Sequence, residues 1–305
     1  MVDNTVQEES MSEEELLKNA QPVNQSVEDK EQENKQQKEA VDTQKEIPEF
    51  TKPSWIILVL TLIALGGIFA ICHFILDKDA CGFYWQTYPR ILGAVYFIWL
   101  FVLIYQRIHT YGFSGYYETF WYCNIVLFCG GLGLMFGYPH IIGMCFCLAM
   151  FPHSYYWIDT ICWITIHKCP LHTATYLFDP NWPILDKITT LHHFLFMPSI
   201  FIAFYKYPPV SFWACVLAIF LFMYEQIICR YFTPCTVIDK NGNIKELNIC
   251  VAHHNIPALE KVPPFSLVKD VSVFAYFSLS FVLYCVPTCT LSFGVFALAQ
   301  CLLNL

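Results

Sequence analysis

The chain has 305 residues, of which 56% are hydrophobic and only 14% are charged, and its mean hydropathy is +0.45. Soluble domains carry about 25% charged residues, so this composition argues against a soluble protein and indicates a membrane protein. The formal net charge of −8 lies in residues 1–52, because the rest of the chain holds 11 acidic and 11 basic side chains. A neutral body offers no basic field for nucleic acid, so no nucleic-acid partner is expected.

Residues 1–52 are predicted to form a disordered acidic tail. They hold 14 acidic and 6 basic side chains and almost no aromatic ones, so they cannot bury enough apolar area to offset their ordering entropy. Within the tail, Met11–Ala20 is compatible with a short amphipathic helix. The tail shows no secretory signal, so the first span is expected to act as its own anchor. We interpret the tail as the candidate binding element for a protein partner.

Residues 53–305 are predicted to form a transmembrane helical domain, an all-α polytopic bundle of about seven spans with six to eight allowed. Roughly 20 apolar residues suffice to cross a bilayer. Residues 139–167 include Pro152, so they form either one kinked helix or two half-spans. Residues 270–303 are too many for one crossing, which allows this run to fold back on itself. The apolar runs cover residues 54–76, 90–107, 119–137, 139–167, 188–205, 210–231 and 270–303.

The basic residues predict which connectors share a side of the membrane. Residues 230–269 form the richest basic connector of the body. If residues 139–167 cross once, this connector lies on the same side as the N-terminus, and the positive-inside rule then predicts a cytoplasmic N-terminus. The endomembrane system is the expected location, since the chain has no transit signature. Asn241-Gly242-Asn243 is a turn signal that is typical of a small hairpin.

Several polar side chains fall within the apolar runs. An ionisable group inside a bilayer costs roughly 2.5–3.5 kcal/mol, so each one suggests a partner or a function. A simple structural role is also open to Asn124 as an interhelical donor, to Asp159 as the partner of a histidine and to Cys123 as a small buried side chain. A neutral imidazole needs both a donor and an acceptor, so His192 predicts a polar pocket. The polar side chains are Glu118, Asn124, His153, Asp159, His192, His193, Glu225, Gln226 and Arg230.

The ten histidines invite a test for the histidine boxes of membrane di-iron enzymes. His167 and His172 fit one box spacing. The paired boxes fail, because no third histidine precedes His192-His193 or His253-His254 at the required offset. No histidine pair is singled out as a haem ligand either. The sequence therefore predicts neither a metal site nor a cofactor.

A resemblance to known membrane proteins rests on four motifs spread over about residues 90–256. They resemble a group of uncharacterised, bacterial-type multi-pass integral membrane proteins, and they are more loosely similar to the YwaF-like membrane acyltransferases and the androgen-induced hydrolases. The motifs are Phe120-Trp121-Tyr122-Cys123-Asn124, Pro152 with Trp157-x-Asp159, Thr175-x-Leu177-Phe178-Asp179-Pro180, and Leu191-His192.

The likeness to the acyltransferase branch implies a catalytic mechanism. Cys123 would be a thiolate nucleophile activated by the imidazole of His192, and an acyl-enzyme would form within the bilayer. Asn124 would help to stabilise the oxyanion, and Asp159 or Glu118 would orient the imidazole. The implied partners are membrane lipids.

Three functions remain open at this point. The first is a lipid acyl hydrolase or acyltransferase that uses the Cys-His pair. The second is a transporter or channel whose intramembrane His, Asp and Glu side chains line a proton or solute path. Internal symmetry would favour a transporter, and the sequence shows none. The third is a non-catalytic membrane scaffold that binds a partner through its acidic tail.

Overall fold

The computed structural model describes residues 55–78, 87–204, 209–238, 244–253 and 271–303. These residues belong to one compact unit, Thr51–Leu305. The predictions for the tail, including the helix at Met11–Ala20, lie outside the described residues.

The described residues are almost entirely helical, with one two-stranded hairpin. A π-helical turn, Cys72–Leu76, extends the first helix, and another, Phe281–Cys285, joins the last two. A 3-10 turn covers Ile249–Val251. The helices and strands are α1 (Trp55–Ile71), α2 (Thr87–Tyr111), α3 (Phe113–Glu118), α4 (Tyr122–Phe136), α5 (Pro139–Ile166), α6 (Thr175–Phe178), α7 (Ile184–Thr190), α8 (His192–Ala203), α9 (Trp213–Phe232), β1 (Thr236–Ile238), β2 (Ile244–Glu246), α10 (Val273–Ser280) and α11 (Val286–Leu303).

Five helical stretches of the described chain are long and apolar enough to cross a membrane. This confirms the predicted fold class, an all-α bundle of the polytopic membrane type. The third and fifth predicted spans form the shorter helices α4 and α8, of 15 and 12 residues. The five long stretches are Trp55–Leu76, Thr87–Tyr111, Pro139–Ile166, Trp213–Phe232 and Val273–Leu303.

The two runs whose course the sequence left open each form one continuous helix. Pro152 lies inside the 28-residue helix α5, which selects one long helix over two half-spans. The last run does not fold back on itself, because the turn Phe281–Cys285 carries α10 directly into α11. In both cases the helix continues through the proline, whose missing N–H costs the helix a single hydrogen bond.

Helix α5 forms the centre of the bundle. Over the most apolar part of each span, 56% of the α5 residues are buried, against 22–44% in the other four spans. Large apolar side chains cover the outside; Phe74, Ile98 and Phe274, for example, are 72%, 64% and 83% exposed. A soluble protein rarely exposes so much contiguous apolar surface, whereas lipid solvates it.

Glycine allows a close approach of α2 to α4. A Cβ atom on Gly93 would lie 2.5 Å from the carbonyl oxygen of Gly131, so no larger residue fits without movement. Small residues at such crossings are the usual way in which membrane helices pack. This contact sets the later half of α4 against the first turns of α2.

The start of α1 and the basic connector lie at the same end of the bundle. Ile57 packs in one apolar cluster with Leu247 and Ile249. The strands β1 and β2 pair antiparallel in the register Thr236 to Glu246, which confirms the hairpin; its predicted turn lies outside the described residues. The common side of the two segments agrees with the sequence argument, and their orientation toward the cytoplasm stays a prediction.

Candidate functional site

Four side chains from three helices form what we call the Cys-His cluster: Cys123, His153, His192 and His193. Sulfur and ring-nitrogen atoms of Cys123, His192 and His193 lie within 4.8 Å of one another. The ring centroid of His153 lies 4.8 Å from that of His193 and 5.9 Å from that of His192. At 1.5 Å per residue, His153 is about 20 Å from either end of α5. The cluster therefore lies at membrane depth.

The hydrogen bond of His192 defines its tautomer. Its Nδ1 lies 2.6 Å from the carbonyl oxygen of Thr189. Because a carbonyl only accepts, Nδ1 carries the proton, and Nε2 presents a lone pair. That Nε2 atom is buried and has no hydrogen-bond partner. An imidazole with a fixed tautomer, an unpartnered lone pair and a ring nitrogen within 4.8 Å of a thiol is in the state from which it can act as a general base.

His153 is fully buried, and neither of its ring nitrogens has a hydrogen-bond partner. A neutral imidazole always carries one N–H donor and one acceptor, and each buried group left unpaired costs about 1–3 kcal/mol. The rings of His192, His193 and Phe196 surround it. His153 is therefore suited to contact a polar group that enters the cluster.

Aromatic and hydroxyl groups support His193. Its ring stacks on Tyr156 at 3.9 Å and 22°, and its Nδ1 lies 3.1 Å from the Thr190 carbonyl oxygen. The hydroxyl of Tyr176 lies 3.4 Å from that of Tyr156 and 2.7 Å from that of Thr190. Burial raises the pKa of Tyr176, so its phenol is neutral and can donate. These contacts fix the imidazole of His193 on one side of the cluster.

The buried carboxylate of Asp186 anchors the turn that precedes α8. It accepts hydrogen bonds from Tyr111 Oη at 2.8 Å, from Trp182 Nε1 at 3.1 Å and from the Gln106 amide. The hydroxyl of Thr189 donates to the backbone carbonyl of Asp186 at 3.0 Å. Asp186 thus holds α7 so that the Thr189 carbonyl faces His192.

Sequence reasoning missed Asp186 and Thr189. Their role depends on partners up to 80 positions away in the chain. The only signal available was an acidic residue shortly before the histidine pair.

Of the predicted catalytic residues, the structure brings Cys123 and His192 together and ties Asn124 beside them. The Asn124 Nδ2 donates to the Glu118 carbonyl at 2.8 Å, and the Cys123 Sγ lies 3.8 Å from the Asn124 Oδ1. The carboxylate of Glu118 pairs with Arg107 at 3.2 Å. Glu118 therefore joins α3 to α2, and the group that hydrogen-bonds His192 is the Thr189 carbonyl.

Asp159 holds a loop. Its carboxylate accepts from the backbone amides of Leu171, Thr173 and Ala174 at 2.8, 2.7 and 3.0 Å and from the Thr173 hydroxyl at 2.8 Å. A carboxylate has about four lone-pair sites, so these donors match its capacity. The predicted pairing of Asp159 with a histidine is replaced by this attachment of the connector to α5.

The polar residues of α9 also contact local partners. Thr61 donates to Glu225 at 3.2 Å, Gln226 donates to the Val251 carbonyl at 3.0 Å, and Arg230 donates to the His253 carbonyl at 2.8 Å. These bonds join α9 to α1 and to the segment that follows the hairpin.

The donor set of the Cys-His cluster also suits a metal ion. One thiolate and two imidazoles are ligands that Zn²⁺ and Cu⁺ accept. The test for histidine boxes was unable to find this set, because its members come from separate helices rather than from one motif.

The fold and the cluster together define a polytopic helical membrane protein with a buried Cys-His site. No known protein family, curated protein or solved structure matches the chain. The function is therefore inferred from the site itself.

Proposed function

We propose that the protein is a lipid acyl hydrolase or acyltransferase, with Cys123 as the nucleophile and His192 as the general base. One observation carries the proposal. A ring nitrogen of His192 lies within 4.8 Å of the Cys123 sulfur, while the Thr189 carbonyl holds Nδ1 and leaves the buried Nε2 without a partner. An imidazole oriented by a third group and placed near a nucleophile is the general arrangement for covalent catalysis.

The proposed reaction has two steps. The thiol proton passes to Nε2 of His192 while the sulfur attacks the acyl carbonyl carbon, and the ester C–O bond breaks as His192 returns the proton to the departing alcohol. A second alcohol, or water, then attacks the thioester and releases Cys123 as a thiol. The Asn124 Nδ2 donates one N–H to the Glu118 carbonyl, and we assign its second N–H as the donor to the oxyanion.

A largely apolar cavity lies against the helices α4 and α5, which carry Cys123 and His153, although neither side chain lines it. It has a volume of about 70 Å³ and lies between α4, α5, α9 and α11. Its wall includes Tyr122 and Pro152, the chain neighbours of Cys123 and His153. Leu148, Phe151 and Tyr284 contribute to a wall that is mostly apolar and also includes Gln226 and Thr288, which suits part of an acyl chain.

The decisive experiment measures acylation of Cys123 in lipid nanodiscs by mass spectrometry. With phospholipid donors, we expect an acyl-sized mass increase that Cys123→Ser abolishes and His192→Ala slows by about 10²-fold or more. Cys129→Ser is the matched control, since Cys129 lies on the same helix but within the apolar core. Folded protein that gains no acyl mass from a range of donors would contradict the proposal.

A second candidate function, binding of a soft metal ion, is favoured by the unpartnered nitrogens of His153 and His192. Purified protein would then retain about one equivalent of Zn²⁺ or Cu⁺, and Cys123→Ser or His193→Ala would lower that content. Elemental analysis before and after a chelator measures it. Bound metal without acylation would select this second function. If neither bound metal nor acylation is found, solute flux is the next property to measure.

We further infer an endomembrane location with a cytoplasmic N-terminus, and a protein partner for the acidic tail. The single crossing by α5 supports the shared side of the N-terminus and the basic connector. Protease treatment of sealed vesicles tests the orientation, because an exposed tail would be removed while α1 to α11 stay protected. Protection of the tail would contradict it.

A further inference from the structure

A second arrangement of reactive side chains lies at the end of the bundle where α1 ends and α5 and α9 begin. His140 Nδ1 lies 2.6 Å from Asp77 Oδ1, and His140 Nε2 lies 2.6 Å from Ser211 Oγ. Each ring nitrogen thus has one partner, a carboxylate on one side and a hydroxyl on the other. This is the connectivity of a Ser-His-Asp triad, which is recognised by geometry and not by the order of its residues.

Three separate elements place these side chains. Asp77 follows the π-helical turn that ends α1, His140 lies in the first turn of α5, and Ser211 lies just before α9. The Gln300 side chain accepts from the amide of Val210 at 3.1 Å and so fixes the backbone next to Ser211. Asp77 is 1% exposed, whereas Ser211 is exposed. The orienting acid is buried, and the hydroxyl is open to a substrate.

We propose that Ser211, His140 and Asp77 form a second catalytic site, a serine esterase at the membrane surface. With Nδ1–H donating to Asp77, Nε2 of His140 accepts the Ser211 proton while Oγ attacks the carbonyl carbon of an ester. The ester C–O bond breaks, and the departing alcohol takes the proton from Nε2. Water then attacks the acyl-serine, loses a proton to Nε2 and releases a carboxylic acid, and Oγ regains its proton.

Backbone donors for the oxyanion are close by. Ser211 lies two residues before α9, and the first N–H groups of a helix have no intrahelical acceptor. Among the backbone bonds of the described residues, the first of this turn runs from the Ala214 amide to the Ser211 carbonyl, which leaves the amides of Phe212 and Trp213 as candidate donors. Donors next to the nucleophile at a helix N-terminus are suited to a developing oxyanion.

The surroundings select the class of substrate. Phe212 and Trp213 are 53% and 57% exposed, and α9 begins at Trp213 as one of the long apolar helices. Aromatic side chains at the end of a span lie at the level of the lipid headgroups. Ser211 therefore meets esters that lie at the interface, namely those of amphiphilic lipids.

A fluorophosphonate probe tests this site in the full-length protein in nanodiscs, with peptide mapping of the adduct. The matched control serine is Ser272, which is also exposed and precedes a helix, and whose hydroxyl accepts from the Ala275 amide at 3.3 Å. We expect Ser211 to be labelled at least about 10²-fold faster than Ser272, since general-base catalysis contributes 10²–10⁴-fold. Ser211→Ala should abolish the main adduct and Ser272→Ala should leave it unchanged.

The labelling rate of Ser211 in Asp77 variants tests whether Asp77 orients His140. Asp77→Asn should slow labelling of Ser211 by roughly 10²–10⁴-fold through the wrong imidazole tautomer, and Asp77→Glu should restore part of the rate. The fluorophosphonate adduct should persist in Cys123→Ser and disappear in Ser211→Ala, which separates this site from the Cys-His cluster. Equal labelling rates at Ser211 and Ser272 in the folded wild type would overturn the proposal, whatever the stability of the Asp77 variants.

Discussion

Two histidines on the same helix, the half-buried His140 and the buried His153, show opposite states of an imidazole. They lie 13 residues apart on α5, or about 20 Å along its axis. Both ring nitrogens of His140 are hydrogen-bonded, each at 2.6 Å, whereas neither nitrogen of His153 has a partner. Side chains outside α5 therefore decide whether the ring nitrogens of each histidine are hydrogen-bonded or remain able to contact an incoming group.

The two sites also differ in access to water. Ser211 is exposed at one end of the bundle, while Cys123 is half-buried and its neighbour His192 is 3% exposed. Water reaches an acyl-serine at the surface more readily than a thioester at membrane depth. We therefore expect hydrolysis at Ser211 and transfer to a second lipid alcohol at Cys123.

The largest expected effect is the complete loss of the covalent adduct at one site, with the adduct at the other site unchanged. Cys123→Ser should remove acylation and leave the Ser211 adduct intact, and Ser211→Ala should do the reverse. The reason is that the two nucleophiles have separate bases, His192 and His140. Mass spectrometry of both variants measures this. A single variant that loses both adducts while remaining folded would show that the sites are not independent.

Next in size is the effect of Asp186→Ala on the Cys-His cluster. The change removes the acceptor of hydrogen bonds from Gln106, Tyr111 and Trp182, so we expect a loss of about 3 kcal/mol or more in the free energy of unfolding. Cys123 acylation should fall by about tenfold or more because α7 no longer holds the Thr189 carbonyl. Thermal unfolding and acylation rates check this, and an unchanged Ser211 labelling rate is the control.

A smaller effect is expected for His153→Leu. Because neither nitrogen of His153 has a hydrogen-bond partner, an apolar side chain of similar bulk removes two unpaired polar groups, and the free energy of unfolding should rise by about 1–3 kcal/mol. His140→Leu at the other end should have the opposite sign. A loss of stability in His153→Leu that appears only with added Zn²⁺ would instead identify His153 as a ligand.

The smallest expected effect on acylation is that of Asp159→Asn. Its carboxylate holds the loop at Leu171–Ala174, so the free energy of unfolding of the variant should fall by roughly 1–3 kcal/mol. The acylation rate of the remaining folded protein should change less than twofold. A 10²-fold fall in that rate would instead show that Asp159 acts on the imidazole, as the sequence alone suggested.

The spans were predictable, whereas the contacts of the site were not. Hydropathy is a local property, so the runs that became α1, α2, α5 and α9 could be read directly. The pairing of Cys123 with His192 was expected only through a family resemblance, because it joins two helices separated by 69 positions in the chain.

Other features depend on distant partners. Asp77, His140 and Ser211 each look like an ordinary polar residue at the end of a span, and their hydrogen bonds join positions 63 and 71 apart. The hydrogen bonds of Asp159 could not be foreseen for the same reason: a carboxylate beside histidines suggests a pair, but it accepts from four donors of a nearby loop, and its predicted action on the imidazole stays a prediction. Sequence patterns predict helices, whereas the role of a polar side chain depends on the residues that it contacts in the folded protein.

The short helices α4 and α8 have a consequence for the surrounding bilayer. Their 15 and 12 residues correspond to about 22 and 18 Å, less than the ~30 Å of a typical hydrocarbon core. Both begin at the Cys-His cluster, so lipids beside them must lower their headgroups toward it. A hydrophobic mismatch of this kind costs less in a thin membrane, and the protein would therefore be sorted toward bilayers that already match it.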